Sequence, residues 1–147
     1  MYKTLATAVV LLAVLALAGG QSKVAPLTVT SPIIVARVSK TNQTAAIPVT
    51  TMFTPPRDGL FRISAYAVMT TLSTGGENGD VIPYLDYTDE SGQQQLQLNG
   101  LPSAGAGFVD LYSEPFRATA GNPVSYSVSA TDVNGVYELF LTVERLD

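Results

Sequence analysis

Four carboxylates fall within a short span, Asp80, Asp86, Asp89 and Glu90. Carboxylates at close spacing can share a cation, and calcium takes about six to eight oxygen ligands from carboxylates, carbonyls and water. Calcium is therefore the one cofactor to weigh, and these four are its candidate ligands. No Asp-x-Asp-x-Asp-Gly loop accompanies them, which favours turn chemistry instead. On that reading Asp89 and Glu90 cap a hairpin, while Asp86 faces solvent from a strand, opposite Leu85 and Tyr87. A pair of carboxylates roughly 5 to 10 Å apart could also hydrolyse a glycosidic bond. Such clefts need aromatic platforms, and the chain has no tryptophan, which leaves Tyr84, Tyr87 and Tyr112 as stacking surfaces.

Other chemistries lack their reagents. There is no histidine and no cysteine. The usual base of a nucleophilic triad, the commonest metal ligand and the usual structural zinc sites are all missing. Serines and threonines are plentiful, but no Ser-x-x-Lys motif is present to activate one of them. An enzyme is not expected. The net charge is −4, without any cluster of Lys and Arg, so a phosphate backbone would be repelled and nucleic acid is excluded as a partner.

The elements that position these residues are read from periodicity. Apolar side chains recur at every second position, and Gly, Asn, Asp and Pro punctuate at short intervals. This predicts about eight strands, near Ile33–Val38, Ile47–Phe53, Leu60–Thr71, Val81–Tyr87, Gln93–Leu98, Gly107–Ser113, Pro123–Ala130 and Val136–Arg145. Phe61, Ile63, Ala65, Ala67 and Met69 share one face of the third. Tyr137, Leu139, Leu141 and Val143 share one face of the last. One core face and one wetter face per strand predict an antiparallel, two-sheet sandwich of jelly-roll type. The glycine-rich stretches TGGENGD and LPSAGAG precede no helix and are loops, not phosphate cradles.

Residues 1–18 read as a signal peptide: Lys3, an apolar run from Leu5, then Ala16-Leu17-Ala18 for cleavage. The run is too short to span a bilayer, for which about 20 residues are needed. No cysteine follows to carry a lipid. The expectation is export, with no membrane span after cleavage, and a location outside the cell or at its surface. A strand-prone segment, 19–31, then leads into a single domain, 32–147.

Three words of the sequence carry a resemblance. FTPPRDGLFRISAYAVMTT, YLDYTDESGQQQ and AGNPVSYSVSATDVNGVYELFLTVERLD, in that order and spacing, resemble stretches of bacterial domains similar to the complement C1q and tumour-necrosis-factor jelly rolls. The resemblance implies a jelly roll that associates as a compact trimer and acts by binding rather than catalysis. The collagen-like stalk usual in the complement-type proteins is not present.

Apolar side chains on the polar faces point to where association occurs. Tyr66 and Phe140 interrupt polar faces, and Phe108 and Tyr112 flank Asp110 on the face opposite Val109 and Leu111. Gathered in one patch, Tyr66, Phe108, Tyr112 and Phe140 would form an interface with further copies of the chain. The lead segment is expected to pair within its own domain as the first strand; alternatively, donated to a neighbour with Leu27, Val29, Ile33 and Val35 inserted, it would build a filament. The expected function is a secreted, non-enzymatic, self-assembling jelly roll. The alternative is a glycan-binding module, with or without calcium.

Overall fold

The computed structural model describes residues 31–71, 80–102, 109–131 and 135–147. The leader, Leu27, Val29, Phe108, Asn134 and most of the two glycine-rich loops lie outside the described residues. Strands succeed one another without a helix among the described residues. They are β1 (Ile33–Gln43), β2 (Ile47–Phe53), β3 (Gly59–Thr71), β4 (Asp80–Asp89), β5 (Gly92–Gln97), β6 (Leu101–Pro102), β7 (Val109–Ala118), β8 (Val124–Ala130) and β9 (Val136–Arg145).

One antiparallel sheet has the order β1-β9-β3-β7, and the other β2-β8-β4-β5 with the short β6 beside β4. The pairings are nested. The first strand pairs with the last, β2 with β8, β3 with β7, and β4 with β5 across a hairpin. A long hairpin of four strand pairs, rolled so that successive pairs alternate between layers, is a jelly roll.

The predicted alternation is what the layers bury. Phe61, Ile63, Ala65, Ala67 and Met69 of β3 face inward beside Tyr137, Leu139, Leu141 and Val143 of β9. The opposite layer answers with Val81 and Leu85 of β4 and Val124, Tyr126 and Val128 of β8. Each fully buried side chain of this size contributes about 1.5 to 3 kcal/mol relative to an exposed one. At one end of the sandwich the core is aromatic. Phe61 lies 5.4 Å from Phe53 and 5.7 Å from Phe116, and Phe116 lies 5.0 Å from Tyr87, so the four rings join both sheets. The Arg145 guanidinium covers Phe61 at 5.5 Å from the ring centre. Its Nη2 donates to the Asp58 carbonyl at 2.9 Å and its Nε to Asp147 Oδ1 at 2.8 Å.

The stiff Pro55-Pro56 corner is tied down by a neighbouring turn. The Gly121 N–H donates to the Pro55 carbonyl at 2.9 Å, and the Ala120 N–H donates to Asp58 Oδ1 at 2.7 Å. Gly121 itself has φ 75°, a backbone conformation that side chains rarely adopt. Pro83 sits inside β4, a central strand, which a missing N–H should forbid. It is tolerated because it falls between the ladder to β6, which ends at Val81, and the ladder to β5, which begins at Tyr84. Its carbonyl still accepts a hydrogen bond from the Leu98 N–H at 2.9 Å.

Two expectations need correcting. The sixth predicted strand, Gly107–Ser113, is in fact β7, which runs on to Ala118 through Pro115. Proline is accepted there because β7 is an edge strand. The strand's parity is also the reverse of the one expected. Phe116 and Ala118 are buried, so Tyr112 shares their inward side and packs against the core, while Val109 and Leu111 point outward. The residues that set the parity lie past the end at which the pattern seemed to stop.

Tyr137 yields a pH prediction. It is fully buried, and its hydroxyl donates to the Ala45 carbonyl at 2.7 Å. Desolvation, assisted by the nearby Tyr126, pushes its pKa up from 10.0 to about 12. Above pH 10 the unfolded chain therefore releases a proton that the folded chain keeps, and stability falls as the pH rises towards 12. The loss is on the order of 2 kcal/mol. Tyr137→Phe should lower stability by about 1 kcal/mol at neutral pH through the lost hydrogen bond. It should also flatten the alkaline decline, as read by urea unfolding at a series of pH values; an equally steep decline in the variant would refute the assignment.

Candidate functional site

The two outer faces of the sandwich differ in chemistry. On the β1-β9-β3-β7 sheet, cross-strand register assembles rows of outward side chains. One row reads Leu111, Tyr66, Phe140, Ser39 from β7 to β1. The next row contains Val109, Val68 and Glu138, and on the other side lie Ser113, Ser64 and Thr142. Residues directly opposite across antiparallel strands have Cβ atoms only about 4.5 to 5.5 Å apart, so each row is a continuous strip. Tyr66 and Phe140 are in ring contact at 5.8 Å. Leu111 is 72% exposed and Val109 is 49% exposed. A shallow groove of about 390 Å³ runs beside them, lined by Tyr66, Leu111, Phe140, Ser64, Ser113 and Thr142, with Ala65 and Tyr112 contributing from beneath. Beyond the Ser/Thr row, an Arg62–Glu144 ion pair closes the strip, Arg62 Nε donating at 3.0 Å.

Tyr66 and Phe140 are thus neighbours on an outer face. Tyr112 is not a member of that row, and Phe108 lies outside the described residues. Leu111 takes the place assigned to Tyr112. It was missed because the alternation around Asp110 was phased to put Leu111 in the core. Burial raises the pKa of the Tyr112 phenol, with Glu114 and Tyr87 adding to the shift, in keeping with a ring turned towards the interior.

The β2-β8-β4-β5 sheet carries a polar outer face. Its central row reads Thr51, Ser125, Asp86, Gln95 across all four strands. Gln95 Nε2 donates to Asp86 Oδ1 at 2.8 Å, while Asp86 Oδ2 is buried and receives no hydrogen bond from any described residue. Ser125 is only 6% exposed although it belongs to this outer row. A groove of about 540 Å³ opens here, walled by Gln93 and Gln95 on one side and by Val49 and the Asn122–Pro123 turn on the other. Asp86 therefore turns outward as expected, but it is not simply solvated.

The other acidic candidates are dispersed. Asp80 starts β4 and Asp86 stands six positions on; at roughly 3.3 Å per residue this separates them by about 20 Å. Asp89 Oδ1 caps the β4–β5 turn, accepting from the Ser91 N–H at 2.7 Å, and Glu90 accepts from Arg117 Nε at 2.7 Å. Among the described residues no three acidic groups stand where they could hold a metal ion. Of the tyrosines offered for stacking, Tyr87 packs on Phe116 and Tyr112 on the core, which leaves Tyr84 on the outer face. Ile33 and Val35 belong to the chain's own first strand, where Ile33 pairs with Arg145, rather than to a strand donated to a neighbour.

No protein-family model matches the chain, and no curated protein matches it. Solved structures with a similar course of the backbone include the CBM22-1 xylan-binding domain of Paenibacillus barcinonensis Xyn10C. It is 15% identical, with 80% of this chain and 81% of that one covered at a TM-score of 0.45. Another is the CBM22-1–GH10 portion of a Clostridium thermocellum xylanase, 10% identical at a TM-score of 0.44, where 78% of this chain spans 29% of that one. A Bacillus endospore appendage pilus subunit is 14% identical, with 85% and 97% covered at a TM-score of 0.31. What each of these binds or builds is a property of that protein.

The outer strip predicts a separation of stability from surface function. Leu111→Ser removes an exposed side chain and should shift the stability of the isolated chain by less than about 0.5 kcal/mol. Leu141→Ala, one residue from Phe140 but facing the core, should cost about 2 to 5 kcal/mol. Urea unfolding at low protein concentration measures both, and comparable losses would mean that the faces are misassigned.

Proposed function

We propose that this is an extracellular, non-enzymatic jelly-roll protein that works by associating with copies of itself. The observation that carries the reading is the uncharged apolar row Leu111–Tyr66–Phe140 across three adjacent strands. Contiguous exposed apolar patches on a stable domain mark association surfaces, whereas single exposed side chains do not.

A second copy is the occupant favoured by charge and shape. At a net charge of −4, two copies repel over most of their surface. The row carries no carboxylate, so it is a place where they can meet at low electrostatic cost. Leu111 stands out beside a groove lined by Tyr66 and Phe140, a projection and a recess on one face. Symmetric interfaces are built from such self-complementary surfaces. The resemblance to C1q and tumour-necrosis-factor domains favours three copies. A filament joined through donated residues 19–31 is the variant of this reading. A second reading, a carbohydrate-binding module, is favoured by the polar groove and the orphaned oxygen of Asp86.

Light scattering coupled to size-exclusion chromatography should give a multiple of the 15.5 kDa chain mass, less any leader removed, at micromolar concentration. Leu111→Ser combined with Phe140→Ser should give a folded monomer. A monomeric parent protein at that concentration would overturn the proposal. Deleting residues 19–31 should leave the oligomer intact; its loss on truncation, with the double variant still assembled, would transfer the interface to the donated segment.

A further inference from the structure

The outer row of the β2-β8-β4-β5 sheet contains a group that the self-association reading does not use. Asp86 is held at the middle of the sheet, between Ser125 of β8 and Gln95 of β5. One of its carboxylate oxygens is satisfied by Gln95, and the other is buried without a donor among the described residues. A buried carboxylate oxygen without a donor is costly, and a domain keeps few of them. Asp86 lines the groove of about 540 Å³ described above, within the range of about 300 to 1,000 Å³ typical of small-molecule sites. Gln95 is exposed and bonded to Asp86 by its amide, so it can turn aside at the expense of one hydrogen bond.

The lining defines the ligand chemistry. Asp86 accepts only, Ser125 and Thr88 both donate and accept, and Gln93 and Gln95 present an amide donor and acceptor each. Among the described residues no cation lines the groove, so an anionic ligand would meet only the Asp86 charge there. A carboxylate without a second acidic group among the described lining residues is a poor start towards calcium's oxygen shell. A neutral ligand rich in hydroxyls satisfies every group: it donates to Asp86 and exchanges hydrogen bonds with the amides and hydroxyls. Tyr84 does not line the groove itself, but it stands two positions before Asp86 on the same outward face of β4, where a ligand longer than one sugar unit would meet its ring. Such a ring can pack against the C–H face of a pyranose.

We infer that the groove around Asp86 is a subsite for a neutral oligosaccharide, with a sugar hydroxyl taking the place of the Gln95 amide as donor to Asp86 Oδ1. This deepens the carbohydrate reading and stands independently of self-association, since the apolar row lies on the other sheet.

Isothermal titration calorimetry of the full chain with cellohexaose, xylohexaose and mannohexaose tests it, with Glu90→Gln as a control outside the groove. At least one sugar should bind with a micromolar to millimolar dissociation constant. Asp86→Asn should weaken that binding at least tenfold with an unchanged circular dichroism spectrum, and Glu90→Gln should leave it alone. Tyr84→Ala should weaken it independently of Asp86. Binding that survives Asp86→Asn would overturn the subsite while the carbohydrate reading stands; absence of binding to all three sugars at millimolar concentration would overturn both. Two further arms close the alternatives. Tight, salt-sensitive, Asp86-dependent binding of hexalysine, or a rise in melting temperature with millimolar calcium that Asp86→Asn abolishes, would each overturn the assignment to a neutral sugar.

Discussion

Desolvation of alternate side chains along β3 and β9 is the constraint from which the rest follows. These two strands lie side by side in the middle of one sheet, and Ile63, Met69, Leu139 and Val143 reach 0% exposure there. Because the side-chain period is two, a slip of one residue in either strand would turn this whole set to water. The register of the sheet is therefore pinned from the inside. Everything on its outer surface, including the pairing of Tyr66 with Phe140 and Leu111, is placed as a consequence.

The same constraint frees the outer faces to differ. Once the inward positions are satisfied, outward residues need only tolerate a pleated strand, and here the two sheets use that freedom in opposite ways. The β1-β9-β3-β7 sheet exposes leucine, valine and aromatic rings in contiguous rows. The β2-β8-β4-β5 sheet exposes hydroxyls, glutamine amides and a carboxylate with a buried oxygen. One face suits the exclusion of water against a like surface, and the other suits exchange of hydrogen bonds with a hydroxylated ligand.

Where reading the sequence went astray, the fault lay at strand ends and at edges. The predicted strand ends at Ser113, short of β7's actual end at Ala118. An edge strand loses little by a proline, and the true anchors, Phe116 and Ala118, come after it. That error reversed the side on which Tyr112 and Leu111 point. The capping role was legible for Asp89, since an Asx cap is a local interaction, whereas Glu90, expected to cap the same turn, pairs with Arg117 of a distant strand. Burial of one Asp86 oxygen was not legible, because Ser125 and Gln95 reach it only across strand pairings.

Alone, the sequence determined the all-β character, the inward sets of β3 and β9 and the exclusion of histidine- and cysteine-dependent chemistry. Those properties reside in composition and in a two-residue period, both of which are local. Only the tertiary structure decided which outward residues become neighbours: Leu111 with Tyr66 and Phe140, Asp86 with Ser125 and Gln95. Those neighbours come from strands distant in the chain, brought together when a nested hairpin rolls into two layers. Local pattern carries no record of that adjacency, because it exists only once the core has closed.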